Sequence, residues 1–219
     1  VLEPESLLNV LSTLHADRII RGDTEAIDIT SDTPTLKVMT SAGMITITCA
    51  QLMLIAGGGN SQLRAMAKLS GGAMQVRPLR MTLARGDLPV LNGHCVKGAK
   101  PWLTITTACD QTQGTIWQIG GEAAEWGATA SSHDTINRAA AAVAAALPDV
   151  SLGNVQWATY EAPRAEQSSS DGGRPDSPGI IDDGSICTAW PTKLALAPIL
   201  AEQLAQRVTP VHAATPVPQ

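Results

Sequence analysis

An apolar run that ends in three consecutive glycines most restricts the folds open to this chain. The residues LMLIA at 52–56 have the composition of a buried strand, and a helical pattern begins at Gln62. Glycine permits the tight backbone turn that a strand needs when it leads directly into a helix. The segment therefore indicates an α/β unit whose turn lies at Gly57–Gly59.

The residues of this turn leave two interpretations open. A first phosphate loop of a dinucleotide-binding fold has the pattern G-x-G-x-x-G, and Gly57 and Gly59 supply its first two glycines. Gln62 occupies the third position, where a side chain crowds the helix against the strand. No acidic residue follows at the spacing, about twenty residues, that ribose binding requires. A purely structural turn is thus favoured over a first phosphate loop.

The rest of the chain changes its pattern twice. Residues 3–19 predict an amphipathic helix that packs against a sheet, and β-branched runs then predict a hairpin before the glycine turn. The run at 44–56 predicts one strand that ends at the glycine turn. From 74 to 119 the pattern is all-β, and its first strand is predicted at 74–86. Further helices are predicted at 132–147 and 196–208. The order is therefore an α/β piece, an antiparallel piece and a return to α/β.

Charge and cysteine content exclude several classes of protein. The net charge is −5 and the 15 Lys and Arg residues are scattered, so we expect no nucleic-acid partner. No apolar stretch is long enough to form a transmembrane segment. The cysteines form no C-x-x-C pair, which predicts no metal site and favours reduced thiols in a cytoplasmic compartment; they are Cys49, Cys95, Cys109 and Cys187.

Several segments together resemble flavoproteins of the D-amino-acid oxidase and glycine oxidase superfamily. QLMLIAGGGN, residues 51–60, resembles a strand and turn beside the flavin pyrophosphate. RPLRMTLARGDLPVLNGHC, KPWLTITT and TIWQIGGEAAEWG are similar to the sheet of the substrate domain. Residues 173–206 are similar to the closing segment, in which a loop and a strand lead to a turn under the isoalloxazine ring and then to a helix. The resemblance implies FAD as cofactor and a small-molecule substrate.

The resemblance also implies a fold class, α/β (α+β), with an antiparallel substrate domain inserted into a Rossmann-like FAD-binding domain. Residues 1–72 and 166–208 would belong to the FAD-binding domain, 73–165 to the substrate domain, and 209–219 to a disordered tail. The family's opening strand, first phosphate loop and ribose-binding acid do not occur in this sequence. We therefore expect a missing N-terminal segment or subunit as partner, and weak or no binding of FAD by this chain alone.

The resemblance assigns cofactor contacts to both turns: Ala56, Gly57, Gly58, Gly59, Asn60, Pro191, Thr192, Lys193 and Leu194. A helix that starts after Thr192 or Lys193 would direct its backbone N–H groups toward an anionic reduced flavin. Lys193 would add a full positive charge there. The alternative is that Thr192 is an ordinary N-cap and Lys193 a solvated residue.

Two arginines are candidates for binding a substrate carboxylate, because a guanidinium group holds a carboxylate bidentately. Arg164 falls where the family places its carboxylate-binding arginine, and Arg174 lies in a loop. The alternative for each is a surface ion pair with Glu161, Glu166 or Asp176.

His94 joins Lys193 as a catalytic candidate, since the pKa of histidine lies near neutrality, but a structural histidine in a loop is the alternative. Glu122 and Glu125 do not establish a paired-carboxylate site, because spacing in sequence cannot place two acids across a cleft.

The sequence predicts part of an oxidoreductase that transfers hydride from a small amine, amino acid or related substrate to FAD. The alternatives are a non-catalytic fragment and a nucleotide-binding module that uses only the glycine turn.

Overall fold

A computed structural model describes residues 3–98, 100–110 and 114–208, so the predicted tail at 209–219 lies outside the described residues. The chain divides into two compact units. Unit 1 comprises residues 77–164, and unit 2 comprises the segments that precede and follow it, 2–76 and 165–219. One continuous segment thus separates the two parts of unit 2 along the chain.

Unit 2 begins with a helix, α1 (Pro4–Leu14), whose N-terminus is capped by Glu3. The Glu3 carboxylate accepts hydrogen bonds from the backbone N–H groups of Glu5 and Ser6, which satisfies two of the donors that every helix start leaves unpaired. None of its residues is buried, so the expected packing of this helix against a sheet is not seen within the described residues. Its apolar stripe faces outward instead.

An antiparallel meander follows α1. Strands β1 (Asp23–Thr30), β2 (Thr33–Thr40) and β3 (Gly43–Thr48) pair in that order. Ile27 lies opposite Leu36, and these two side chains pack in the core of unit 2. The β-branched residues favour strands here because they pack well on a pleated surface that is buried on one side.

The next strand, β4 (Leu52–Leu54), belongs to a different sheet from β3. The backbone N–H of Cys49 still donates to Pro34 O in the meander, whereas the N–H of Leu52 donates to Ser185 O. A 3-10 turn at Gly57–Gly59 then leads into α2 (Asn60–Met66). The run predicted as one strand is therefore divided, because its two halves have different hydrogen-bond partners.

Unit 1 is built on an antiparallel sheet of five strands. The strands are β6 (Arg80–Gly86), β7 (Gly93–Lys97), β8 (Lys100–Asp110), β9 (Gly114–Gly120) and β10 (Gln156–Glu161). Their order in the sheet is β10-β6-β9-β8-β7. A short strand, β5 (Met74–Arg77), precedes β6, and Pro78, which has no N–H to donate, separates the two.

Two helices accompany this sheet, α3 (Glu122–Gly127) and α4 (Ser132–Ala146). Ser131 caps α4 by accepting from the N–H of Asp134, and the helix lies where the sequence predicts it. Ala139 and Val143 of α4 join the wholly buried Trp117 of β9 in the core of unit 1. Helix α4 therefore covers one face of the sheet within unit 1.

The chain returns to unit 2 through β11 (Arg164–Gln167), which pairs with β5. Strand β12 (Gly179–Asp183) then pairs antiparallel with β13 (Ile186–Trp190), and β13 lies parallel to β4. Every residue of β13 is buried. A 3-10 turn at Leu194–Leu196 continues into α5 (Ala197–Ala205).

The predicted combination of helices with antiparallel sheets is confirmed. Within the described part of the chain, no helix has the length and apolar character needed to cross a bilayer. The described residues also contain no cluster of three or more His, Cys, Asp or Glu side chains that could hold a metal ion.

Candidate functional site

Two turns of unit 2 meet at one edge of a sheet. Because β4 and β13 are parallel neighbours, their C-terminal ends reach the same edge. The glycine turn follows β4, and the Pro191–Leu194 turn follows β13. In open α/β sheets, ligands bind outside the carboxyl ends of parallel strands. The structure thus brings together the two groups of predicted cofactor residues.

The glycine turn needs glycine for its backbone conformation. Gly57 has φ +57°, in the left-handed region that L side chains seldom adopt, and a Cβ added there would meet nothing within 4 Å. The N–H of Gly59 donates to Ala56 O over 3.0 Å, which closes the 3-10 turn. The space beside Gly57 is therefore open to a ligand.

Asn60 holds the turn together from inside the protein. Its side chain is wholly buried, with Oδ1 accepting from the N–H of Ala56 at 2.8 Å and Nδ2 donating to Ala189 O at 3.1 Å. Both polar ends of the amide are thus occupied within the chain. This predicted cofactor residue shapes the turn through its side chain.

Trp190 ties the same turn to β13, and sequence reasoning did not single it out. The indole is wholly buried, and its Nε1 donates to Gly57 O over 3.3 Å. A buried tryptophan usually finds a partner for its N–H group, but sequence alone gives no indication of which carbonyl that is.

The Pro191–Leu194 turn contains an unusual backbone conformation at Thr192, where φ is +62°. A β-branched residue seldom adopts this conformation, which concentrates at functional sites. Thr192 Oγ1 donates to Ser177 O at 3.1 Å, and the N–H of Lys193 donates to Pro191 O at 2.6 Å. Thr192 does not cap a helix. The N-cap position of the following 3-10 turn is Lys193, and no side chain forms a capping hydrogen bond there.

Lys193 faces a distant acidic partner. Its Nζ lies 4.0 Å from Asp176 Oδ1, and the Asp176 side chain is fully exposed to solvent. A solvated pair at this distance contributes little attraction. Lys193 is therefore only weakly paired in the turn that follows β13.

The two predicted substrate arginines lie at different places. Arg164 is half-buried at the start of β11, and Arg174 is exposed in the loop before β12. Gln75 orders that loop, since its Nε2 donates to Gly173 O at 2.7 Å and its Oε1 accepts from the N–H of Ser169 at 3.1 Å. Arg174 thus projects from a loop whose backbone is fixed.

His94 lies on strand β7 of unit 1. The alternative of a structural histidine in a loop therefore has the wrong secondary structure. His94 is exposed, and its Nδ1 is 2.9 Å from Thr104 Oγ1 on β8. The strand register places His94, Thr104 and Gly120 in one row across the sheet. The residues next to this row along each strand belong to the core. Because successive side chains of a strand point to opposite faces, the row lies on the face away from the core.

Tyr160 and Gln118 are polar residues of unit 1 that sequence reasoning also missed. Gln118 Nε2 donates to the Tyr160 hydroxyl at 2.7 Å, and Tyr160 stays 40% exposed. Partial burial raises the pKa of Tyr160, although the hydrogen bond from Gln118 acts in the opposite direction. The phenol therefore keeps its proton at neutral pH and can donate it while it accepts from Gln118. The alternation of apolar and polar residues along β9 and β10 is the sequence signal that could have placed both side chains on the same face of the sheet.

Glu125 takes part in an ion pair rather than in a pair of acids. Its Oε1 lies 3.1 Å from Arg77 Nη1 within unit 1.

Comparison with known proteins shows what this chain is similar to. No family model matches the chain. The sequence is 37% identical over 165 residues, 74% of the chain, to a "Probable FAD-dependent oxidoreductase" of Pseudomonas aeruginosa. The chain is similar to part of a flavin-dependent oxidoreductase. It spans 42% of the length of that relative.

Solved structures support the same likeness. The crystal structure of this Pseudomonas aeruginosa FAD-dependent oxidoreductase matches 96% of the chain and 60% of its own length, with a TM-score of 0.76 and 31% identity. Iminodiacetate oxidase from Chelativorans sp. BNC1 matches 85% of the chain and 48% of its own length, with a TM-score of 0.53. At 12% identity, the second match concerns the fold alone.

Proposed function

We propose that this chain is part of an FAD-dependent oxidoreductase of the D-amino-acid oxidase superfamily, with unit 1 as its inserted substrate domain. The observation that carries the proposal is the meeting of the glycine turn and the Pro191–Leu194 turn at the carboxyl edge of β4 and β13. The identity of 37% to a probable FAD-dependent oxidoreductase supports the choice of cofactor.

The residues at this edge fit a flavin dinucleotide. The open space beside Gly57 admits a pyrophosphate group close to the backbone from Ala56 to Asn60, and Asn60 keeps that backbone in place. The turn from Pro191 to Leu194 would lie under the flavin ring, with Lys193 opposite the negative charge of the reduced ring. FAD supplies hydride acceptance, and these residues bind and orient it.

The proposed substrate is a small amine, amino acid or related molecule. Arg164 and Arg174 are the candidates to hold its acid group, because each guanidinium matches a carboxylate in shape and charge. His94 is the candidate to hold or move a proton in the reaction, since the ring nitrogens of a histidine can donate and accept protons. Tyr160 adds a protonated phenol on the same sheet.

The proposal includes a further FAD-binding segment or subunit on the N-terminal side. The chain spans 42% of its curated relative, and Gln62 occupies the third position of a phosphate-loop pattern that requires glycine. That segment would supply the first phosphate loop and the acid that binds ribose. We also propose that the protein works in the cytoplasm, where its cysteines stay reduced.

The visible absorbance spectrum tests this function. We expect the full-length protein to be yellow with bound flavin, and the 219-residue chain purified alone to be colourless. A full-length protein without flavin after incubation with FAD would refute the proposed cofactor. A yellow 219-residue chain would refute the need for the additional segment.

A pair of glycine variants sharpens the test. Gly57 and Gly184 both have positive φ, +57° and +72°, and both lie in open space. Gly184 lies in the β12–β13 turn, at the opposite end of β13 from the proposed site. In the full-length protein, we expect Gly57→Ala to weaken FAD binding and Gly184→Ala to leave it unchanged. Equal effects of the two variants on FAD affinity would count against the glycine turn as a cofactor contact.

A further inference from the structure

Trp190 and Asn60 connect the two turns in opposite directions. Trp190, at the end of β13, donates its indole N–H to the carbonyl of Gly57 in the glycine turn. Asn60, at the end of the glycine turn, donates its amide to the carbonyl of Ala189 in β13. The last residue of β13 and the first residue of α2 thus each donate to the backbone of the other segment, and both side chains are wholly buried.

The bond from Trp190 also sets the direction of a peptide group. Gly57 O accepts from both the Trp190 indole and the N–H of Asn60. No peptide bond of the described residues is cis, and in a trans peptide the C=O and the following N–H point in opposite directions. The N–H of Gly58 therefore points away from the buried indole.

One turn further along α2, the side chain of Arg64 attaches this helix to β13 and to its neighbour β12. Its side chain is 4% exposed, and Nη1 lies 2.7 Å from both Asp183 Oδ2 and Thr188 Oγ1. A buried guanidinium paired in this way strongly resists displacement, since loss of its partner leaves an uncompensated charge. The elements on both sides of the glycine turn are consequently attached to β13. Strand β4 pairs with β13, and α2 is bonded to it through Arg64 and Thr188.

We propose that Trp190 and Asn60 are positioning residues for FAD, which hold the glycine turn and the Pro191–Leu194 turn at a fixed spacing before the cofactor binds. This inference rests on the proposed function. A cofactor that contacts both turns gains affinity when their spacing is set in advance, because binding does not have to order them. The contacts of Trp190 and Asn60 are with the chain itself, so they act through the turns.

The chain offers a matched control for Trp190. Trp117 in unit 1 is also wholly buried, and its indole N–H also donates to a backbone carbonyl, Pro89 O at 2.8 Å. Trp190→Phe and Trp117→Phe each remove one such hydrogen bond while they keep an aromatic ring. The pair therefore separates an effect on cofactor position from a general effect on stability.

The experiment measures FAD affinity and the flavin absorbance spectrum in the full-length protein. We expect Trp190→Phe to raise the dissociation constant of FAD by about three- to tenfold, the effect of one neutral hydrogen bond, and to shift the flavin bands. Trp117→Phe should change neither. Equal dissociation constants and spectra in the two variants would overturn the inference.

A second variant covers the case in which Trp190→Phe does not fold. Asn60→Ser shortens the side chain so that it no longer reaches Ala189 O, and we expect a loss of FAD affinity of similar size. Wild-type affinity in a folded Asn60→Ser variant would overturn the inference. A wild-type protein that binds no FAD would instead refute the proposed function itself, so the two failures are distinguishable.

Discussion

At the scale of single residues, backbone conformation distinguishes Thr192 from the other threonines that the structure describes. It has φ +62°, and its hydroxyl bonds to Ser177 O. A left-handed conformation destabilises a non-glycine residue by about 1–2 kcal/mol, so surrounding contacts must hold it. The sequence predicted a turn here, but a threonine gives no sign that its backbone will be left-handed.

We expect Thr192→Gly to be more stable than Thr192→Ala by roughly 1 kcal/mol, because both lose the hydroxyl and only glycine is relieved of the strain. The free energy of unfolding in urea measures the difference. Thr46, exposed on β3, is the control, since there alanine should be the more stable replacement. The same order at both positions would contradict the prediction.

Cys187 predicts a dependence of stability on pH. Burial raises the pKa of its thiol from 9.0 to about 11, and its hydrogen bond with Asp182 acts in the same direction. The folded state therefore keeps this proton after the unfolded state has lost it, so stability falls as the pH rises from 9.0 to about 11. We expect the fall to be smaller in Cys187→Ser, measured by urea unfolding across this range. Parallel curves for wild type and variant would refute it.

At the scale of elements, local signals were sufficient for some helices and insufficient for the strands. Residues 132–147 predicted α4, observed at Ser132–Ala146, because Ser131 and Pro148 mark its ends in the sequence itself. The strands of 74–86 and 44–56 were predicted too long. Their ends depend on a proline without an N–H and on a change of partner strand, and a partner strand is not visible in local sequence.

Helix α1 is the element whose surroundings differ most from the expectation. Its Leu8 and Leu14 side chains are 63% and 67% exposed. We expect Leu8→Gln and Leu14→Gln to change the unfolding free energy of this chain by less than about 0.5 kcal/mol, as at other exposed positions. Val143→Ala in α4 should destabilise by about 2 kcal/mol, because it opens a space in the core. A comparable loss in the α1 variants would show that this helix is packed.

At the scale of the whole molecule, the candidate site depends on contacts between residues that lie far apart in the sequence. Gly57 and Trp190 are separated by 133 positions along the chain, and their hydrogen bond follows from the pairing of β4 with β13. The resemblance placed both turns near the cofactor, but the buried links between them emerge only from the three-dimensional arrangement. Side-chain direction at Asn60 likewise depends on Ala189, a residue of another strand.

Unit 1 has a continuous chain and its own hydrophobic core, from which a whole-molecule prediction follows. We expect the fragment 77–164 to fold alone with a single cooperative thermal transition. Circular dichroism and dispersion of backbone amide signals in an NMR spectrum measure this. A fragment that melts without cooperativity would show that the core of unit 1 depends on the remaining chain.

The pairing of β5 with β11 means that the chain enters and leaves unit 1 through neighbouring strands. Paired strands lie about 4.8 Å apart, so a segment bounded by them can be exchanged without moving its attachment points. Recombination at these two positions would replace unit 1 as a cassette and leave β4, β13 and their turns intact. Under the proposed function, in which unit 1 is the substrate domain, we expect exchange of residues 77–164 to change substrate preference more readily than substitutions at the paired turns.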